Sequence, residues 1–400
     1  MFKIKQLIKK IFKKLQFYKG LKKVELLIYD DIFPHPVSGF RHEEFTRLLE
    51  EFDSSKIIVN PKSYKVINST ISEHKKHLNE YLIQNPRLKN RVSSIKYFNN
   101  INVKLFYCVF LSNIYNNIDW IEKFKIPFVF TLYPGGGFQV NSQIINKKLN
   151  RVFSSPMFRK VIVTQKYTKN YLIDDLLCDP NKIEFIFGCV VPQTSIRHSN
   201  AIGESFNRNK DFFDIVFCAA KYTEKGEDKG YDTFIDFAKS ISGKYSFVRF
   251  HIIGGFDENV IDITSIRDKI NFYGYKKFEE LAAIFKKMDI IISPNKPFLL
   301  HDGAFDGFPL GTVVEAVLNG VVALVSDELN ENEYFENEKD IILIKNDKFF
   351  IERKVEYLIG NPKILDEISN NGRNKFSELY SNDIQMKRRI DILKNEVFKN

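Results

Sequence analysis

Phe305-Asp306-Gly307-Phe308-Pro309-Leu310-Gly311-Thr312-Val313-Val314-Glu315-Ala316, with Val321-Val322-Ala323-Leu324-Val325-Ser326-Asp327 just behind it, decides how this chain is read. Glycine and proline make the first part a loop. The apolar run from Thr312 continues it as a helix, and the second stretch is a buried strand. Glycines let backbone N–H groups approach a ligand closely, and a helix N-terminus attracts anions. Asp306 and Glu315, one at each end of the turn, can accept from hydroxyls. A sugar carried on a diphosphate presents both kinds of group. Taken alone, the same segment is also an ordinary loop–helix–strand corner with two solvated acids.

Working outward, the same alternation fills the chain. Before the loop, strands are expected at Val24–Tyr29, Lys56–Val59, Val103–Phe110, Phe128–Leu132, Val161–Thr164 and Ile183–Phe187. A polar stretch, Gln193–Asp211, breaks the periodicity and reads as a linker. Strands resume at Ile215–Ala219, Phe247–Ile253, Ile270–Gly274, Ile290–Ser293, Val321–Val325 and Ile341–Ile344. Helices are expected at Arg41–Glu51, Asp232–Ser242, Phe278–Lys287 and Thr312–Leu318, with two more near the end. Alternating strands and helices give parallel sheets covered on both faces. The expectation is an α/β protein of two doubly wound, Rossmann-like domains facing a central cleft. The domains are 24–192 and 212–375, joined by 193–211, with a C-terminal helix over 376–400 that could return to the first domain. Ligands of such sheets sit at the carboxyl ends of the strands, hence between the domains.

The charge is unevenly placed. The 400 residues carry a net +10, yet residues 1–23 hold nine lysines and no acid. Of 60 basic residues, that leaves 51 against 50 acidic ones in the body. A neutral body argues against a nucleic-acid partner. In the segment, Ile4, Leu7, Ile8, Ile11, Phe12, Leu15 and Tyr18 share one helical arc and the lysines the other. This basic amphipathic helix suits an anionic membrane interface, or packing on the protein's own surface. No stretch is long and apolar enough to span a bilayer. Cys108, Cys178, Cys189 and Cys218 form no CxxC and no Cys/His cluster. A reduced cytoplasmic protein, peripheral to the inner face of the cell membrane, is the expectation.

Residues 214–327 resemble, in order, the GT-B glycosyltransferases, especially the large retaining group called family 4 (glycosyl transferases group 1 type). The segments that carry the resemblance are Phe217-Cys218-Ala219-Ala220-Lys221, Lys229-Gly230-Tyr231-Asp232, His251-Ile252-Ile253-Gly254-Gly255, Ile270–Tyr275, Met288–Pro294 and the Asp306–Glu315 loop. In the first half, Ser38-Gly39-Phe40-Arg41 resembles the glycine turn after the first strand. Phe128–Phe138, with Gly135-Gly136-Gly137, stands where the family often ends a strand in His. Ile183–Pro192 resembles the strand and turn that close the first domain. Three departures stand out. Asp306 replaces a glutamate and lies nine positions before Glu315 rather than eight, Tyr133 or Pro134 takes the place of the His, and Lys221 replaces an arginine.

The resemblance implies transfer of a sugar from a nucleotide donor to a glycan or lipid-linked acceptor, with retention and no bound metal or other cofactor. Lys221 and Lys229 would stabilise the leaving diphosphate as its charge develops, with Lys225 a rival for either. The N–H groups of Gly311 and Thr312, beside Leu310, would add the helix dipole. Glu315 would hold ribose hydroxyls, Asp306 the donor sugar, and Tyr275 would line the nucleotide site. Gly39, Tyr133 and Gly136 would form the acceptor or diphosphate loop. An epimerase on the same fold, or a binding protein without chemistry, are the alternatives.

Overall fold

The computed structural model describes residues 23–61, 64, 69–94, 102–175, 177–193 and 210–399. The amphipathic segment up to residue 22, and the linker over 194–209, lie outside the described residues.

Two parallel sheets carry the fold. The first contains β1 (Val24–Asp30), β2 (Ser55–Val59), β3 (Val92–Ser94), β4 (Val103–Val109), β5 (Phe128–Leu132), β6 (Phe158–Val163) and β7 (Ile183–Phe185), in the order β3-β2-β1-β4-β5-β6-β7. The second contains β8 (Phe213–Ala219), β9 (Val248–Gly254), β10 (Ile270–Gly274), β11 (Ile290–Ser293), β12 (Val322–Ser326) and β13 (Ile342–Ile344), in the order β10-β9-β8-β11-β12-β13. Each is a doubly wound unit, the arrangement expected from the alternation. Central strands such as Phe-Val-Phe-Thr-Leu in β5 are buried throughout, as a strand covered on both faces must be. The apolar residues on either side of each sheet form their own clusters, so the core is four layers of side chain around two sheets.

Two details depart from the expected elements. The polar tripeptide Val-Ser-Ser forms β3, a short edge strand paired with β2, which has no periodicity to reveal it. Near the end there are three helices rather than two: Lys348–Gly360, Pro362–Tyr380 and Asn382–Phe398. Pro362 opens the second at its first turn, and the Ser381 hydroxyl caps the third through the Ile384 N–H at 3.3 Å. That third helix sinks Met386, Ile390, Leu393 and Val397 into the core of the first domain.

The loops that meet between the domains all follow strand carboxyl ends. The Phe278 N–H donates to the Pro36 carbonyl (3.2 Å), and the Val140 N–H to the Gly303 carbonyl (2.9 Å). The Phe308 N–H donates to the Gln165 side chain at 2.9 Å. The Glu331 carboxylate accepts from the N–H groups of Lys166 and Tyr167 at 2.6 and 2.7 Å, capping the first domain's Lys166–Asp174 helix from the second domain. Both sheets therefore present their carboxyl ends to a shared cleft.

Candidate functional site

At the carboxyl end of β8 the chain turns through Lys221 and Tyr222 into a short 3-10 turn, Glu227–Lys229, and then a helix from Tyr231. Lys229 is buried in that turn. Its ammonium donates to both carboxylate oxygens of Asp306, at 2.6 and 2.5 Å, and lies 3.7 Å from Asp228. The Asn295 side-chain amide donates to the same Asp306 carboxylate at 2.7 Å. The Lys229 ammonium also sits 5.1 Å from the centre of the exposed Tyr222 ring. Lys229 and Asp306, 77 residues apart, are thus one unit.

Next to this pair, the Gly311–Leu318 helix points its N-terminus at β8. The Thr312 hydroxyl donates to the Cys218 carbonyl at 3.0 Å, which fixes the first turn against the strand. Gly311 lies against the Cys189 sulfur. Glu315, one turn in, is buried, and its charge acts on both Cys189 and Cys218. Burial pushes the Cys189 thiol up to about 12, so it is an apolar neighbour and not a nucleophile. Lys221 is half-buried at the strand end and makes no ion pair with a described residue. Lys225, the rival for either lysine, is exposed, whereas Lys229 is buried. Tyr275 is exposed and lays its ring and hydroxyl close to Gly255, where a Cβ would meet the hydroxyl at 2.8 Å.

From the first domain, the glycine triplet reaches the same place. Gly136 and Gly137 have φ of +54° and +87°, and a Cβ on either would strike Phe110 or the Ser112 hydroxyl near 2 Å. Only glycine fits this turn. The loop continues to Phe138, whose ring packs on Phe305 at 5.9 Å, one residue before Asp306. Gly39 opens the Gly39–Glu51 helix in close contact with the second domain: a Cβ there would lie 2.6 Å from Pro192 and 3.1 Å from Phe278. Gly39 is therefore a point of contact between domains as well as a turn.

Tyr133 is placed otherwise than a cleft residue. It is buried, donating to Glu44 at 3.0 Å and accepting from Arg389 at 3.3 Å. Tyr107 donates to the other Glu44 oxygen and meets Thr131 at 2.7 Å. Arg389, on the returning helix, is fully buried with its guanidinium held by Gln385 and Tyr133. Burial raises the Tyr133 and Tyr107 phenols well above their ordinary value. His35 is buried among Tyr64 and His77 and is pushed down to about 4, mainly by burial. His301 is exposed on the loop before Asp306.

Several residues that hold the site leave no signal in the sequence. Gln165, Glu331, Asn295, Phe278 and Arg389 act through partners far along the chain. Periodicity and local motifs are blind to such contacts. A small cavity of about 50 Å³ lies behind the loop, lined by Asn295, Asp306, Phe308, Ser326 and Glu331. It is too small for a nucleotide and does not include Lys221, Thr312 or Glu315. Among the described residues, no group of three or more His, Cys, Asp or Glu side chains converges as a metal site, and no helix is long and apolar enough to cross a membrane.

Residues 205–375 match the family model described as Glycosyl transferases group 1. No curated protein matches the sequence. Among solved structures, a glycosyltransferase from Rickettsia africae is similar at 14% identity and a TM-score of 0.67, over 95% of this chain and 100% of that one. Sucrose-phosphate synthase from Thermosynechococcus elongatus is similar at 12% identity and a TM-score of 0.63, over 94% and 99%. HepE from Anabaena, in complex with UDP and glucose, is similar at 13% identity and a TM-score of 0.63, over 92% and 99%.

Proposed function

We propose that this glycosyltransferase of GT-B fold, whose second domain belongs to glycosyl transferases group 1, transfers a sugar to a glycan or lipid-linked glycan in surface polysaccharide or glycoconjugate synthesis. The observation that carries the reading is the convergence of Lys221, the Lys229–Asp306 pair, the Thr312 helix N-terminus and Glu315 at one strand end. A nucleotide sugar needs these groups: cations and N–H donors for the diphosphate, carboxylates for hydroxyls. HepE, bound to UDP and glucose, offers the parallel on the same fold.

In this reading Lys221 and Lys229 take the diphosphate, and Glu315 accepts from the ribose. Asp306 sits where it can hand its grip on the ammonium to the phosphates and turn to the donor sugar. The acceptor approaches past Gly39 and the Gly136 turn. Tyr133 serves from beneath, keeping Glu44 and Arg389 in register under that turn. Transfer retains the anomeric configuration, with the donor phosphate taking the acceptor proton, and uses no resident metal. Residues 1–23 hold the enzyme at an anionic membrane on its cytoplasmic side. Epimerase chemistry on this fold is the second reading, kept because a putative UDP-N-acetylglucosamine 2-epimerase from Listeria monocytogenes is similar at a TM-score of 0.56.

A thermal-shift screen of nucleoside diphosphates and nucleotide sugars tests the reading, because a ligand of the native state raises its melting temperature. One nucleotide family stabilising the protein, with product formed from its sugar donor, is the expected outcome. Stabilisation by none would end it. Interconversion of the donor sugar without an acceptor would favour the epimerase.

A further inference from the structure

Residues 294–310 join β11 to the Gly311–Leu318 helix. Connections from strand to helix in such sheets usually take about 2–6 residues. This one is longer because it crosses to the first domain and comes back. The Phe298 N–H donates to the Ala304 carbonyl at 2.6 Å, which closes its outer part on itself. The Gly303 carbonyl accepts from Val140 of the first domain. Phe305 is buried in the first domain's core, edge-on to Phe138 and Tyr167 at 5.9 and 5.4 Å. Three residues later, Phe308 is buried in a cluster packed on the second sheet. Asp306 and Gly307 are therefore the crossing point between two cores.

Gln165 stands against that crossing from the first domain. It follows β6, is 2% exposed, and its side-chain oxygen accepts from the Phe308 N–H at 2.9 Å. A Cβ on Gly307 would lie 3.3 Å from its amide nitrogen. A backbone N–H can only donate, so the amide turns its oxygen to the loop. Gln165 is itself held in place. It caps the Lys166–Asp174 helix, and the buried Glu331 of the second domain accepts from the next two N–H groups. A buried N–H left without a partner is costly, so the bond to Gln165 keeps the loop against the first domain.

We propose that Gln165 is a positioning residue for the donor sugar: from the first domain it fixes the backbone that carries Asp306. The Asp306 carboxylate is otherwise held by Lys229 and Asn295, both of the second domain. Given the donor-site reading, on which this inference rests, the diphosphate takes over the Lys229 ammonium. Asp306 then loses its charged partner just as the sugar arrives. The Phe308 N–H and the Phe305 ring do not depend on that ammonium. They keep the backbone in place while the carboxylate changes partners. Lys221, Thr312 and Glu315, assigned to the nucleotide, lie on second-domain elements, and Thr312 is fixed separately to the Cys218 carbonyl. Sugar placement is thus coupled to the contact between domains, and nucleotide binding is not.

The test compares the full-length wild type with Gln165→Met, which keeps the size of the side chain and removes the acceptor. Amide hydrogen exchange over residues 305–310 should be faster in the variant, and exchange over the Gly311–Leu318 helix should not change. Equal exchange over 305–310 in both proteins overturns the proposal. UDP and GDP serve as binding probes, and UDP-glucose, UDP-N-acetylglucosamine and GDP-mannose as donor probes. For a donor that the wild type cleaves, kcat should fall roughly 10- to 100-fold while affinity for its nucleoside diphosphate stays within about twofold. Loss of that affinity in step with kcat would make Gln165 a general structural contact and overturn the proposal. Because Gln165→Met could fail to fold, Phe305→Leu trims the other first-domain grip and should show the same split in smaller measure. Wild-type kcat in Phe305→Leu also overturns it. A wild type that binds neither nucleotide and cleaves no donor sinks the donor-site reading and the sugar role with it. Faster exchange over 305–310 in Gln165→Met then stands for the anchor alone.

Discussion

The Lys229 ammonium donates to both carboxylate oxygens of Asp306, at 2.6 and 2.5 Å, so the cation assigned to the diphosphate and the acid assigned to the sugar hold each other. The lysine side chain is 5% exposed and the aspartate 31%. A nucleotide sugar would have to replace one partner of each.

That exchange predicts opposite effects of two substitutions. Lys229→Ala removes a charge-assisted partner of the phosphates and should weaken nucleoside diphosphate binding by roughly 1.5–3 kcal/mol. Asp306→Asn frees the lysine, so nucleoside diphosphate affinity should hold or rise while turnover of the nucleotide sugar falls. Calorimetry beside steady-state kinetics separates the two. Parallel loss of binding in both variants would refute the exchange.

Glu315→Ala should weaken binding of the nucleotide by roughly 1–3 kcal/mol, the cost of losing hydrogen bonds to a charged group. A ligand series that replaces ribose with deoxyribose should show the variant's penalty shrinking. Unchanged affinity for every nucleotide that binds the wild type would remove Glu315 from the site.

Gly39→Ala places a Cβ 2.6 Å from Pro192, at the end of the first domain, and 3.1 Å from Phe278 of the second, so the helix must shift against Pro192 and press on the contact between domains. The expected cost is roughly 1–3 kcal/mol of stability, with a larger radius of gyration by small-angle scattering and a fall in kcat. A variant with wild-type activity and dimensions would show that the contact yields freely.

Arg389→Met leaves Glu44 and Tyr133 buried without their cation and should cost roughly 3–5 kcal/mol. Pairing it with Glu44→Gln should cost less than the sum of the two single changes, because neither buried charge is then stranded. Additive melting shifts would show that the two groups do not interact.

Burial holds His35 and His42 down at about 4, with nearby His77 adding repulsion. Both are neutral in the native state at pH 7 and protonate near 6.5 when unfolded, so acid favours the unfolded chain. Stability should fall as pH drops from 6.5 towards 4, by on the order of 2 kcal/mol per group. His42 also packs its ring, tilted, against Phe278 at 5.1 Å, so the contact between domains should loosen with it. Melting temperatures across that window check this, with His42→Gln expected to flatten the slope. Imidazole resonances that titrate near 6.5 in the native protein would contradict it.

The amino-acid order alone determined what depends on near neighbours. Alternating apolar strands and amphipathic helices specified two parallel sheets, since a strand buried on both faces and a helix buried on one leave periods that survive in sequence. Gly307, Pro309 and Gly311 marked the loop, and the basic run to Lys23 marked an amphipathic segment. The tertiary structure alone decided what depends on residues far apart. It pairs Lys229 with Asp306 across 77 residues, sinks Tyr133 between Glu44 and Arg389 across 89 and 256, and makes Gly39 a meeting point of domains. Such pairings have no period. They follow from how the whole chain closes, because a buried polar group must find a partner wherever the fold brings one.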